Sequence, residues 1–197
     1  MEESEERLIE RALEGELDAF NVLVERYERP LYNVCLRMLS STQSAEDATQ
    51  EAFISAFRSI RSFRGGSFKS WLFRIGANAC YDELRRQRSR PSRSIDEPVG
   101  EDERTIEVPD RGPTPEESAE TAELRDALSE AIGGLPPDQR LAIILRDVQG
   151  MEYEEIAEAT NTSLGTVKSR INRARSRLRK ALLKKRELLP SRLRQSQ

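Results

Sequence analysis

The chain predicts an all-α fold: two small helical domains joined by a flexible acidic linker. Three observations carry that expectation. Apolar residues recur at intervals of three and four along most of the sequence, the period of an amphipathic helix. No stretch of useful length alternates apolar and polar residues as a half-buried strand would. Between two helical blocks lies a run punctuated by Pro91, Pro98, Pro109, Pro113 and Pro115. It holds too few apolar residues to offset the entropy of ordering it. The expected division is a first domain over 1–90, a linker over 91–115, a second domain over 116–186 and a basic tail over 187–197.

Residues 4 to 14 read as a short helix around Leu8, Ile9, Ala12 and Leu13, ended by Gly15. A longer helix follows, with Phe20, Leu23, Val24, Tyr27, Leu31, Val34, Cys35, Met38 and Leu39 on its apolar side. Pro30 lies inside this pattern. It has no N–H to donate and its ring meets the carbonyl one turn back, so a kink or local interruption is expected. Ser40, Ser41 and Thr42 make a loop, and Ser44 followed by Glu46 and Asp47 reads as a capped, acidic helix start. That helix runs to about Ile60 and is expected to bury Ala48, Ala52, Phe53, Ala56, Phe57 and Ile60. Its other side shows Asp47, Gln50, Glu51 and Ser55.

Residues 61–67, RSFRGGS, form a basic loop. From Phe68 to about Arg88 a further helix turns Trp71, Leu72, Ile75, Ala79 and Leu84 inward. Arg74, Asn78, Asp82, Arg85 and Arg86 lie elsewhere on it. Phe63 and Phe68 flank the loop beside Arg64, Lys69 and Arg74. They either stack on unpaired bases or pin the loop to the core.

In the second domain a helix from Glu116 to about Ile132 offers Ala119, Ala122, Leu124, Ala127, Leu128 and Ala131 for packing, and Gly133-Gly134 ends it. Leu135-Pro136-Pro137-Asp138 opens the next, with Leu141, Ile144, Leu145 and Val148 inward and Gly150 at its end. A short acidic helix, Tyr153 to Thr160, puts Ile156 and Ala157 on one face and Glu154, Glu155 and Glu158 in solvent. Asn161 suits the left-handed backbone of a sharp turn. Thr162 and Ser163 are candidate N-caps for the helix that follows.

That last helix buries Val167, Ile171, Ala174, Leu178 and Leu182. The opposite arc holds Ser169, Asn172, Arg173, Ser176 and Lys180, with Thr166 in the first turn and Lys168, Arg170, Arg175, Arg177 and Arg179 on the flanks. From Ser163 onward there are twelve Lys or Arg and one acid, Glu187. A helix with one buried stripe and Ser, Asn and Arg on the other face suits a major groove. There Arg pairs with guanine, Asn with adenine, and flanking cations neutralise phosphates.

Composition narrows the rest. The net charge of −3 conceals blocks: an acidic start, basic residues over 58–93, a strongly acidic 94–123 and a basic tail. Block charge, not the total, bears on nucleic acid. The chain has no histidine and two cysteines, Cys35 and Cys80, both in apolar helical stretches. That excludes His-based triads and a structural zinc site, and suits buried thiols in a reducing cytoplasm. No apolar run approaches a membrane span. Gly65-Gly66 lacks the Gly-Lys-Ser/Thr of a phosphate loop, so no enzyme and no cofactor is expected.

Two blocks in this order resemble a known family. SAEDATQEAFISAF and FRGGSFKSWLFRIGANACYDELRRQRSR resemble the first conserved domain of the extracytoplasmic-function sigma factors. LPPDQRLAIILRDVQGMEYEEIAEATNTSLGTVKSRINRARSRLR resembles their second, helix-turn-helix domain. The resemblance implies a cytoplasmic bacterial factor that directs core RNA polymerase to promoters. By it, Asp47, Gln50 and Glu51 bind the clamp helices of the polymerase β′ subunit, and the β subunit is a further partner. The −10 element falls to Phe63, Arg64, Gly65, Gly66, Ser67, Lys69, Asn78, Arg85 and Arg86, the loop capturing a flipped base. The −35 element falls to Thr166, Lys168, Ser169, Arg170, Asn172, Arg173, Ser176 and Lys180. Asn161 departs from the glycine common in the family's turn, a change its backbone tolerates. An anti-sigma factor is a further partner the family implies. The acidic linker would run through polymerase channels in place of RNA. The competing reading is a stand-alone helix-turn-helix regulator that binds operators without polymerase.

Overall fold

A computed structural model describes residues 3–89 and 115–184, with side chains of the helix after the linker described from residue 124. The expectations for the acidic linker and the basic tail lie outside the described residues. Every regular element among the described residues is helical.

The first domain comprises α1 (Glu5–Leu13), α2 (Leu17–Leu39), α3 (Thr42–Ser59), a 3-10 turn (Ile60–Ser62) and α4 (Phe68–Ser89). Ser4 caps α1 by accepting from the Arg7 amide at 3.4 Å. The Tyr27 hydroxyl then ties α1 to α2 by donating to Glu5 at 2.6 Å. α2 packs against α1, α3 and α4. Leu31, Val34, Cys35 and Met38 are wholly buried at its centre. At Gly76 of α4 a Cβ would stand 2.5 Å from Leu31 Cδ1, so hydrogen alone fits where these helices cross.

Three local expectations are corrected. α2 runs unbroken through Pro30; the helix forgoes one internal hydrogen bond, and packing on three sides holds it together. The cap of α3 is Ser41, not Ser44: Ser41 Oγ accepts from the Ser44 amide at 3.3 Å, and the helix begins at Thr42. Ser40 makes the turn in left-handed backbone, φ 55°. Phe57 was expected in the core but is 44% exposed, with its ring edge against Phe20 at 5.1 Å.

The second domain comprises α5 (Pro115–Gly133), α6 (Pro137–Ile143), a π turn (Ile144–Val148), α7 (Tyr153–Thr160) and α8 (Leu164–Lys184). Leu141 to Leu145 are all buried, because α6 is wrapped by α8 and touches α2. The π turn inserts extra backbone, so Val148 swings out to 43% exposure instead of facing inward, and Leu128 is also exposed. Arg146 organises the bend after it. It donates to the Met151 carbonyl at 2.7 Å, pairs with Glu152 at 2.9 Å and lies over the Tyr153 ring.

The two domains are packed against each other. α4 lies on α7, and α2 meets α5 and α6. The buried apolar residues of both make one contiguous cluster. Both cysteines are buried and free.

Candidate nucleic-acid and partner faces

The turn between α7 and α8 forms as its residue types require. Asn161 sits at φ 49°, ψ 49°, and Ser163 Oγ accepts from the Thr166 amide at 3.2 Å. Thr162 instead bonds the Thr160 hydroxyl at 2.9 Å, so Ser163 is the cap. On α8, Val167, Ile171 and Ala174 are fully buried and Leu178 is packed beside them. This rotation leaves Lys168, Asn172, Arg173, Ser176 and Lys180 exposed, with Thr166 and Ser169 half-buried at the N-terminal end. Arg170 is held sideways: its Nε donates to Asp138 at 3.1 Å, and its side chain is 23% exposed. Arg175 is paired with Asp147 at 2.7 Å. The free donors on this arc can bond base edges, and its cations can meet phosphates.

The loop before α4 owes its shape to Gly65 and Gly66, at φ +93° and +87°. Two successive residues with positive φ are costly for any side chain. Phe63 is buried with Phe68 and Trp71, at ring separations of 5.5 to 5.7 Å, and Tyr27 continues the cluster. Of the two readings for these rings, the pinning one matches their position. Arg64, Gly65 and Gly66 project from that anchor into solvent. Ser67 caps α4, its Oγ accepting from the Ser70 amide at 3.1 Å. Further along α4, Asn78, Arg85 and Arg86 are exposed, the two arginines beside Asp82 and Glu83 of the same helix. Lys69 is half-buried. Its Nζ donates to the Gln149 carbonyl of the other domain at 3.0 Å and lies over the Phe73 ring.

On α3, Asp47, Gln50 and Glu51 share an exposed stripe. Gln43 donates to Asp47 and Ser55 to Glu51, each at 3.3 Å, which steadies both carboxylates. Ile54 and Phe57, 38% and 44% exposed, continue the stripe as apolar surface, with the Phe57 ring against Phe20 of α2. Sequence reasoning missed Ile54 and sent Phe57 to the core. The available signal was that Ile54 falls three residues beyond Glu51 and four beyond Gln50, on the polar arc.

A cleft of about 550 Å³ separates the domains. Arg74, Asn78 and Tyr81 of α4 line one wall; Asp138, Asn161 and Arg170 stand on the other. Burial raises the Tyr81 phenol above the usual tyrosine range. Among the described residues no group of three or more His, Cys, Asp or Glu is placed to hold a metal ion. No described helix is long and apolar enough to cross a membrane.

Residues 23–90 match the Sigma-70 region 2 family, and residues 125–178 match Sigma-70 region 4. The RNA polymerase sigma-H factor of Pseudomonas aeruginosa is 38% identical over 186 residues, 92% of this chain and 95% of that protein. The ECF RNA polymerase sigma-E factor of Haemophilus influenzae is 39% identical, covering 87% of this chain and 92% of its own. The Escherichia coli sigma-E factor is 40% identical, covering 85% and 88%. Among solved structures, CnrH in complex with the cytosolic domain of CnrY superposes with a TM-score of 0.65 at 27% identity, covering 90% of this chain and 95% of that one. The sigma factor RpoE of Bartonella quintana, bound to the anti-sigma factor NepR, gives 0.62 at 28% identity, covering 84% and 98%.

Proposed function

The chain belongs to the extracytoplasmic-function sigma factors, and we propose that three of its surfaces divide their task. It is a transcription initiation factor that directs core RNA polymerase to promoter DNA. In our reading α8 enters the major groove of the −35 element through Lys168, Ser169, Asn172, Arg173 and Ser176, while Thr166, Arg170 and Lys180 meet its backbone. The loop Arg64–Ser67, with Lys69, Asn78, Arg85 and Arg86, receives the unpaired −10 strand. A site that binds only unpaired bases draws the promoter toward the melted state. Asp47, Gln50 and Glu51, extended by Ile54 and Phe57, dock on the clamp helices of the β′ subunit. Phe63 serves this site as the loop's anchor.

The observation that carries the reading is the pairing of two faces in one chain. One is a helix with a buried apolar stripe and an exposed Asn-Arg-Ser arc. The other is a glycine loop anchored on an aromatic cluster and opening to solvent. Two modest sites on one chain gain from effective concentration. A stand-alone regulator would have no use for the stripe at 47–57. The chain itself performs no catalysis; the polymerase does. It works inside the cell, where an anti-sigma factor is its expected antagonist. Run-off transcription with bacterial core polymerase on a genomic library tests this. Discrete start sites that depend on the chain are expected. Failure to associate with core polymerase, or RNA made without defined starts, would refute it.

A further inference from the structure

The cations of α8 are not equivalent. Among the described residues Lys168, Arg173 and Lys180 have no ion pair, whereas Arg170 and Arg175 are each held by an aspartate from the segment before α7. Arg175 is gripped by two atoms: Nη2 donates to one oxygen of Asp147 at 2.7 Å and Nε to the other at 3.4 Å. Arg170 is gripped by one. Its Nε donates to Asp138 Oδ2 at 3.1 Å, and among the described residues its two Nη atoms have no partner.

The carboxylate that does this is itself fixed. Asp138 stands in the first turn of α6, directly after Pro136 and Pro137. The proline rings set the backbone there, and the positive end of the helix favours a carboxylate. α6 packs on α8, which brings Asp138 beside its first turns. Asp138 and Arg170 line one open groove of about 470 Å³ together with Ser163, Thr166, Ser169 and Arg173. The last three are proposed −35 contacts, so the ion pair shares their surface. Both partners lie in the second domain. They are independent of the junction with the first, where Gln149 Nε2 donates to the Pro30 carbonyl at 3.1 Å and Arg140 Nη1 donates to the Met38 carbonyl. A partly exposed ion pair adds little to stability, so holding the fold together does not account for this one.

We propose that Asp138 is a positioning residue for −35 recognition: it fixes the Arg170 guanidinium through Nε, so that the free Nη edge meets one phosphate of the element, and it offsets that cation's attraction to DNA in general. The inference rests on the assignment of α8 to the −35 element. A phosphate contact carries no base identity, but it sets the register for the residues that do. A specific complex needs the cation at one place, whereas a non-specific complex needs only its charge. An arginine already held loses less rotamer freedom on binding, which is worth roughly two- to tenfold in affinity. The carboxylate beside it opposes any phosphate, and its removal should steepen the salt dependence by about one unit whatever the sequence. Asp138 thus favours discrimination over affinity.

The test uses holoenzyme made with the full chain and two labelled promoter duplexes that differ only at the −35 element, one cognate and one scrambled. The cognate comes from a promoter mapped by run-off transcription. Fluorescence anisotropy over a salt series gives both affinities. Asp138→Ala should lower the ratio of cognate to scrambled affinity by roughly two- to tenfold and steepen the salt slope on both duplexes by about one unit. Asp138→Asn keeps an oxygen for Nε without the charge; it should hold the ratio within about twofold of wild type while showing the same steeper slope. With Arg170→Ala already in place, Asp138→Ala should leave the ratio where Arg170→Ala put it. A folding defect would neither be rescued by Asp138→Asn nor vanish with Arg170. An unchanged ratio in Asp138→Ala, or a fall of equal size in the Arg170→Ala background, overturns the positioning role. A wild-type holoenzyme that does not distinguish the two duplexes would instead overturn the placing of α8 on the −35 element.

Discussion

Replacing Gly76 by alanine should loosen the first domain, because α2 and α4 touch where Gly76 faces Leu31. The added methyl would begin 2.5 Å from Leu31 Cδ1 and 3.5 Å from Cγ. Leu31 is wholly buried, so its side chain has no solvent to swing into. One extra methyl in a filled core costs about 1–3 kcal/mol. For a chain of 197 residues, each kcal/mol lowers Tm by roughly 2–4 °C. The expected loss is therefore about 2–12 °C, read by circular dichroism at 222 nm. Leu31→Ala alone should cost about 2–5 kcal/mol through the cavity it leaves. Combined, the new methyl occupies part of that cavity, so the double variant should be more stable than the sum of the two losses by at least about 1 kcal/mol. A melting temperature for Gly76→Ala within 1 °C of wild type, or strict additivity of the pair, would show that the helices do not meet as closely as described.

Three further outcomes are expected. Arg173→Ala should cost about 1–3 kcal/mol on the −35 element and little on scrambled duplex, whereas Lys180→Ala should weaken both and reduce the salt slope by about one unit; fluorescence anisotropy over a salt series separates them. Phe57→Ala, on a ring already 44% exposed, should leave the melting temperature nearly unchanged yet reduce affinity for core polymerase by about tenfold, in line with aromatic anchors at interfaces; equal affinity in a competition assay would remove Phe57 from that face. Burial, followed by the hydrogen bond to Glu5, pushes the Tyr27 phenol above its ordinary pKa. The neutral phenol is thus favoured in the folded chain, and the stability it brings is complete below about pH 10 and declines as pH rises past that value. Tyr27→Phe should melt lower at pH 7 by about 0.5–1.5 kcal/mol and lose less stability between pH 10 and 11; parallel pH curves for the two proteins would count against it.

What the sequence disclosed depends on how local the cause was. The buried stripe of α8, the left-handed turn at Asn161 and the paired glycines at 65 and 66 follow from residue type and spacing, and all appear in the structure. Ser41 displaced Ser44 as the cap because both are serines at plausible positions and the left-handed Ser40 decides between them. Phe57 and Val148 looked internal from their apolar character, but the rotation of α3 leaves Phe57 on its exposed stripe and a π turn turns Val148 outward. The contacts of Gln149, Arg140 and Asp138 were not legible. Each depends on a residue dozens of positions away, and most of the acceptors are carbonyls that no side-chain pattern marks.

Main-chain acceptors at the junction bear on how the two halves can be exchanged. Pro30, Met38 and Gln149 receive their bonds through peptide oxygens, which every residue type carries. A hybrid that joins the first half of a relative to the second half of this chain should therefore preserve the Gln149–Pro30 and Arg140–Met38 bonds without matched acceptor side chains, provided the grafted half keeps a donor at position 69 and its helices end at the same depth. Compatibility between halves is then set by helix length and crossing geometry, and sequence drift on the acceptor side goes largely unpunished.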